Sequence, residues 1–460
     1  MERSALNYLQ NWLTARDRKP LVVRGARQVG KTWLIRHFAE KCGKQLIEFN
    51  FEKQPSHASL FEPNDPQQIL LNLSAVFNQK IDPESCLLFL DEIQAVPELL
   101  SKLRWFAEDC SQLPVIVAGS LLEFVLVQHS FSMPVGRISY MHLEPLSFEE
   151  FLWASHKKML YDYLIAYDLN INIPIAIHEQ LISLFKEYIL IGGLPAAVVS
   201  WAAERSLSKV NQIHYDLLAT YRDDFAKYSG RIAIERLEET VMAVPKMLGQ
   251  KFVYSRVNAS IHADIIKQTV ALLAKARICH RVYSSSANGV PLAAEIKEKY
   301  FKEIFLDTGL CCAALGLNLN QINAADEIIM INNGGIAEQI AGQLLRTIDP
   351  LYIEPALYCW HRDEPGSNAE IDYVIQHGSK VIPIEVKAGS TGSLKSLHLF
   401  MERKKSSVAV RIHSNLPSKT EVGVKSCLGN SVEYLLISIP FYLTGQIHRL
   451  LESIDRMSQS

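Results

Sequence analysis

The 460-residue sequence has no block of like charge, no low-complexity tract and no long uninterrupted apolar run. Long disorder is therefore not expected. Its most lipid-like stretch, Leu435 to Leu443, is under half the ~20 residues of a spanning helix. It also contains Pro440 and reads as a buried strand, so no membrane anchor is expected. Net charge is nearly absent too. Lysine plus arginine (47) almost cancel aspartate plus glutamate (49), leaving −2. The chain as a whole is thus not an electrostatic nucleic-acid binder, and any such surface must be local. The eight cysteines (Cys42, Cys86, Cys110, Cys279, Cys311, Cys312, Cys359, Cys427) include no CxxC pair for zinc or redox work. They read as reduced thiols of a cytoplasmic protein. Met1 to Lys19 is charged and helical in pattern, without the apolar core of a secretion signal.

What is present is enough apolar residue, 48% against 21% charged, to bury several cores. At roughly 100 to 200 residues per domain the length predicts two to four domains. Apolar runs at Leu21 to Val23, Leu46 to Phe51, Cys86 to Leu90, Val115 to Ala118 and Ile138 to Leu143 alternate with helical stretches such as Lys31 to Lys41 and Pro97 to Asp109. That alternation predicts an α/β domain with a parallel sheet over residues 1–146. A helical lid is expected over 147–234. For 235–310 the pattern predicts three helix-like pieces, with Ala259 near the start of the middle one, followed by a hairpin. The hairpin runs from Ile278 to Ser284 with Ala287-Asn288-Gly289 at its tip, a winged-helix arrangement. A separate α/β domain is expected over 330–450.

Gly25-Ala26-Arg27-Gln28-Val29-Gly30-Lys31-Thr32 fits GxxxxGKT and lies between a predicted strand and a predicted helix. Glycines there let backbone amides wrap phosphates, the helix N-terminus adds partial positive charge, the lysine reaches the outer phosphates and the threonine hydroxyl ligates magnesium. The complementary acidic pair ends the run Leu87-Leu88-Phe89-Leu90-Asp91-Glu92. Asp91 would hold magnesium through water and Glu92 would polarise the attacking water of ATP hydrolysis. Ser120, just past the strand ending at Ala118, would orient that water, or alternatively cap a helix. Arg137 would reach the γ-phosphate of a neighbouring subunit, or alternatively is a surface arginine.

With Leu90-Asp91-Glu92-Ile93-Gln94, Pro145 to Phe151 (PLSFEEF), Gly192-Gly193-Leu194-Pro195, Phe301 to Leu310 (FKEIFLDTGL) and Pro383 to Lys387 (PIEVK), the sequence resembles prokaryotic AAA+ ATPases that carry a C-terminal domain of unknown function, DUF4143. The resemblance spans nearly the whole chain. It implies an AAA+ core, a helical lid, a winged helix and a restriction-endonuclease-like C-terminal domain of PD-(D/E)xK type. It also implies ATP and Mg2+ as cofactors and Gly193 and Pro195 beside the adenine.

The resemblance points further to Glu338, Asp372, Glu385 and Lys387. Side chains alternate along a strand, so Glu385 and Lys387 share one face while Ile384 and Val386 face the core; Glu370 and Asp372 likewise share a face. A hairpin turning at His377-Gly378-Ser379 would bring Asp372 and Glu385 to one magnesium, with Lys387 beside it. The plain alternative is a solvated hairpin face with carboxylate and lysine pairing. The motif departs from its family form in Ala369-Glu370-Ile371-Asp372, where no proline precedes the acid, which leaves activity open. The segment Lys380 to Lys425 holds nine basic residues against three acids, which suits contact with a phosphate backbone or simply a soluble surface. The expected partners are DNA, through the winged helix and the C-terminal domain, and further copies of the chain, since an arginine finger needs a neighbour.

Overall fold

The computed structural model describes residues 2–120, 122, 133–228, 232–317, 334–362, 364, 369–388, 393–426 and 429–457. Cys427 lies outside the described residues. The chain forms two compact units, Met1–Glu144 with Asp349–Glu354, and Pro145–Ile348 with Pro355–Ser460.

The first unit opens on helix α1 (Ala5–Thr14), whose Leu6, Leu9 and Trp12 are buried at helical spacing. Strands β1 (Leu21–Arg24), β2 (Gln45–Asn50), β3 (Cys86–Asp91), β4 (Val115–Ala118) and β5 (Ser139–His142) form one sheet in the order β2-β3-β4-β1-β5. All pairings are parallel. Every residue of β3 and β4 is buried, because a parallel sheet is covered on both faces and its central strands become continuous apolar runs. Among the described residues, helices α2 (Lys31–Lys41), α3 (Pro66–Phe77) and α4 (Leu99–Asp109) lie in the strand connections. Ile69, Leu73, Leu99, Leu103 and Phe106 from the last two join Phe49, Leu88, Leu90 and Val117 in one core. The segment Asp349–Glu354 rejoins this unit through a 2.8 Å bond from His142 N–H to the Leu351 carbonyl. Parallel strands share their carboxyl ends, so the residues following β1, β3 and β4 gather at one edge of the sheet.

The second unit begins with helices. Helix α5 (Phe148–Ala154) starts with a capping box: Ser147 Oγ accepts from Glu150 N–H at 3.3 Å and Glu150 Oε2 accepts from Ser147 N–H at 3.1 Å. Helices α6 (Lys158–Ala166), α7 (Ile175–Ile191), α8 (Pro195–Glu204) and α9 (Leu207–Tyr228) follow. Gly192, at φ +74°, ends α7, and Pro195 opens α8 with its fixed φ. Phe148, Phe151, Phe185 and Tyr188 cluster where α5 meets α7.

Residues 235–310 contain two α-helices, α10 (Ile234–Ala243) and α11 (Ala263–Lys275), where the pattern predicts three helical pieces. Ala259 lies in a turn. The hairpin is present as β6 (Cys279–Ser285) antiparallel to β7 (Ile296–Phe305). It does not stand apart. After α12 (Thr308–Ala314) and α13 (Gly335–Leu345), the chain adds β8 (Leu357–His361), β9 (Glu370–His377), β10 (Lys380–Val386), α14 (Lys395–Lys404), β11 (Val408–His413), β12 (Ser418–Lys425), β13 (Ser431–Pro440) and α15 (Ile447–Met457). The strands form one eight-stranded sheet in the order β12-β13-β11-β10-β9-β8-β6-β7, with β6 parallel to β8. One sheet thus crosses the boundary that the sequence suggests between 310 and 330. Among the described residues no helix is long and apolar enough to cross a membrane.

Candidate functional site

The backbone of the loop after β1 turns on two glycines. Gly25, at φ +156°, passes so close to the Leu143 carbonyl that a Cβ would lie 2.3 Å from that oxygen. Gly30 takes φ +93° as the residue before α2, a conformation that costs glycine nothing. Ala26 and Val29 are buried and anchor the loop, while Gln28 takes φ +68°. Lys31 lies on the first turn of α2, buried, with its Nζ donating to the carbonyls of Gly25 at 2.9 Å and Ala26 at 2.8 Å. The ammonium is therefore folded over the loop Gly25–Thr32 that Arg27 and its neighbours complete.

Thr32 Oγ1, one residue on, donates to Asp91 Oδ2 at 3.0 Å. Asp91 ends β3 and is 3% exposed. Burial, followed by the charge of Glu92, pushes its carboxyl up to about 6, and the Thr32 bond partly offsets this. Glu92 takes the left-handed φ of +52°, an unusual backbone state for a residue with a side chain. Its Oε2 accepts from Gln94 Nε2 at 2.5 Å and from Ser120 Oγ at 3.4 Å. A Cβ on neighbouring Gly119 would meet Gln94 Oε1, the movable end of that side chain, at 2.4 Å. The fold thus brings Lys31, Thr32, Asp91, Glu92 and Ser120 to one sheet edge. Gln94 is the residue that motif reading passed over. It ends the Leu-Asp-Glu-Ile-Gln run, but its grip on Glu92 depends on the left-handed turn at Glu92, which sequence does not display.

Arg137 lies just before β5, whose Ser139 pairs with Leu21 at the start of β1. It therefore sits at the amino end of the sheet, opposite the loop that follows β1, and is remote from its own chain's phosphate loop. Half exposed, it donates from Nε to Glu108 Oε1 at 2.6 Å. Arg137, with Arg104 behind it, holds the Glu108 carboxyl below its ordinary range.

Gly193 and Pro195 belong to the second unit. Gly193 N–H donates to Asp307 Oδ2 at 2.6 Å, and a Cβ on Gly193 would lie 2.2 Å from the Leu146 carbonyl oxygen.

The C-terminal constellation is centred on a residue that was not anticipated. Lys302 of β7 is buried, with its Nζ 2.9 Å from Glu338 Oε2, in closer contact with Glu370, and 3.7 Å from Asp372 Oδ1. Burial alone would lower the Lys302 ammonium; Glu338, Glu370 and Asp372 overcome that and raise it well above its ordinary value. The β9–β10 hairpin forms with Ile384 opposite Tyr373, and Val386 N–H donates to Asp372 Oδ2 at 2.8 Å. Glu385 Oε1 accepts from Lys387 Nζ at 2.5 Å. Burial, then the neighbouring Asp372, pushes the Glu385 carboxyl up, and burial pushes Glu338 up against the pull of Lys302. Among the described residues no three or more His, Cys, Asp or Glu side chains gather as a metal-binding group. The basic stretch is partly neutralised: Lys380 pairs with Asp455, Lys387 with Glu385 and Arg403 with Glu364. Lys419 and Lys425 remain exposed on the edge strand β12.

The first unit is an α/β domain with a phosphate loop and an acidic strand end at one sheet edge, the arrangement of P-loop nucleoside triphosphatases. In agreement, residues 17–152 match the AAA domain family model. Residues 182–321 match a domain of unknown function, DUF8612, and residues 333–424 match another, DUF4143. No curated protein matches the chain. Similar solved structures include Caenorhabditis elegans PCH-2, at 13% identity and TM-score 0.26, covering 44% of this chain and 61% of that one, less than two thirds of its length. The Thermotoga maritima RuvB Holliday junction branch migration motor matches at 15% identity and TM-score 0.27, covering 60% of this chain and 87% of that one. The Aeropyrum pernix ORC1 protein in complex with DNA matches at 10% identity and TM-score 0.25, covering 68% and 90%.

Proposed function

We propose that this protein binds and hydrolyses ATP with Mg2+ and uses its nucleotide state to act on a DNA-binding C-terminal module. The observation that carries the reading is the 3.0 Å bond between Thr32 and Asp91, flanked by Lys31 and Glu92. A threonine hydroxyl and a buried carboxylate at that separation suit a shared hard cation, and both are oxygen donors of the kind Mg2+ takes. When bound, the ion neutralises charge between the outer phosphates. Lys31 exchanges its loop carbonyls for phosphate oxygens, and the amides of Gly25 to Thr32 hold the rest of the chain of phosphates. Glu92 accepts the proton of the attacking water and Ser120 helps fix its position. Arg137 serves a neighbouring subunit's site, which makes the active form a homo-oligomer. Phosphate release by wild type and Lys31→Ala tests the reading; equal rates would sink it.

A second reading concerns only the last domain: an ATP-gated switch in which the nuclease-like sheet binds DNA without cutting it. The ion pairs of Lys302 favour it. Incubating plasmid and linear DNA with Mg2+ or Mn2+, with and without ATP, distinguishes the two. Loss of DNA that requires Asp372 and Glu385 would establish cleavage.

A further inference from the structure

The nuclease-like reading of the C-terminal sheet expects a divalent cation among Glu338, Asp372 and Glu385. The residues present do not fit that ion, because a cation built into the chain stands against two of the three, Glu338 and Asp372, and the third, Glu385, pairs with Lys387. Lys302 is reached by Glu338 from α13 and by Glu370 and Asp372 from β9, and its side chain is 3% exposed. The placement follows from strand alternation. Glu303, its neighbour on β7, turns to the opposite face and pairs with Arg281 at 3.1 Å.

The carboxylates are also engaged by other internal donors. Tyr300 Oη donates to Glu370 Oε2 at 2.7 Å, Val386 N–H to Asp372 Oδ2 at 2.8 Å, and Lys387 Nζ to Glu385 Oε1 at 2.5 Å. Glu385 Oε2 and Glu370 Oε1 are buried without a hydrogen-bond partner, but Glu338, Glu370 and Asp372 each already give an oxygen to an internal donor, Lys302, Tyr300 and Val386 respectively. An ammonium is a compact point charge with three donors. It fills the space and supplies the positive charge for which a metal would otherwise be needed, and a divalent ion added beside it would meet repulsion at contact range.

We propose that Lys302 is the resident cation of this carboxylate cluster, occupying the place a divalent metal takes in a nuclease, so that the wild-type module binds no metal there and does not cleave. The ammonium then acts as a rivet joining β7 to α13 and β9. This inference rests on the nuclease-like reading of the sheet and is independent of ATP hydrolysis.

The test uses the full chain without nucleotide. Mn2+ is titrated against wild type, Lys302→Met and the double variant Lys302→Met/Asp372→Asn, reading bound Mn2+ by electron paramagnetic resonance and the thermal midpoint in parallel. Wild type is expected to bind no Mn2+ at this cluster. Lys302→Met is expected to gain one Mn2+ that EDTA removes and that the added Asp372→Asn abolishes. Lys302→Arg, which keeps a cation, should behave as wild type. Mn2+ bound by wild type and lost in Asp372→Asn or Glu385→Gln would overturn the proposal, as would plasmid cleavage with the same dependence. A folded Lys302→Met that gains no Mn2+ would also overturn it. Should Lys302→Met not fold, the wild-type and Asp372→Asn titrations decide alone. A signal lost only in Asp91→Asn belongs to the phosphate loop and counts for that site, so failure of the ATPase reading is seen separately.

Discussion

Asp307 Oδ2 accepts a 2.6 Å hydrogen bond from the main-chain N–H of Gly193. Its Oδ1 accepts from Leu310 N–H at 3.0 Å at the start of α12, and Gln343 Nε2 of α13 lies 3.2 Å from Oδ2. One fully buried carboxylate thus ties the Gly-Gly-Leu-Pro turn to the two helices that lie between β7 and β8. The fit leaves no room for side chains: a Cβ on Gly192 would come within 2.0 Å of Asp307 Oδ1. Asp307→Ala leaves two amides without an acceptor and is expected to cost about 2–4 kcal/mol. Urea unfolding checks this.

Burial raises the Asp307 carboxyl from 3.8 to about 6. The folded state therefore holds this proton more tightly than the unfolded chain does. Between about pH 4 and pH 6 the contribution of Asp307 to stability falls as pH rises, by on the order of 3 kcal/mol in all. Asp307→Asn cannot titrate. Its stability relative to wild type should shift in its favour between pH 4 and pH 7 by that order, as measured by denaturation at both.

Asp91 has the same sign of shift, to about 6, and a metal needs it ionised. Affinity for Mg2+-nucleotide is expected to weaken as pH falls below about 6, by up to tenfold per unit. Calorimetry at pH 5.5 in two buffers of different ionisation heat should record proton release on binding. Identical heats would contradict the role given to Asp91.

Gln94 holds Glu92 through a 2.5 Å bond to Oε2. Removing the amide in Gln94→Ala frees Glu92 to meet water, and basal phosphate release is expected to rise severalfold. Glu92→Gln should lower it by a factor of about 100 or more while nucleotide binding persists.

Arg137, at the sheet edge opposite its own phosphate loop, supplies a test by mixing. Lys31→Ala and Arg137→Ala are each expected to be inactive alone. Mixed, an intact phosphate loop on one subunit meets an intact arginine on its neighbour, and part of the activity should return.

The grouping of Lys31, Thr32, Asp91 and Glu92 was legible in sequence because its parts are local: a strand, a glycine loop and a helix in one stretch, and an apolar run ending in two acids. The parallel sheet followed from the same alternation. Lys302 was not legible, since it sits in β7 while its carboxylates lie 36 to 70 residues further on, and nothing in Phe301-Lys302-Glu303 marks which charge is inward. The capping of Glu92 by Gln94 was hidden for a different reason, since it depends on a left-handed backbone at Glu92. The winged-helix pattern over 235–310 did not disclose that its hairpin joins the eight-stranded sheet, because hairpin signals report only the contacts within a hairpin.

The parallel pairing of β6 with β8 sets an order on synthesis. Val282, Tyr283 and Ser284 find their partners only when Leu357, Tyr358 and Cys359 have been made, some 75 residues later. Until then, a nascent chain carries an open strand edge next to the buried apolar residues of the hairpin. Such an edge is a template for unwanted pairing. A fragment cut at residue 330 would keep that edge permanently, so the hairpin region and the last third of the chain are expressed and engineered best as one piece.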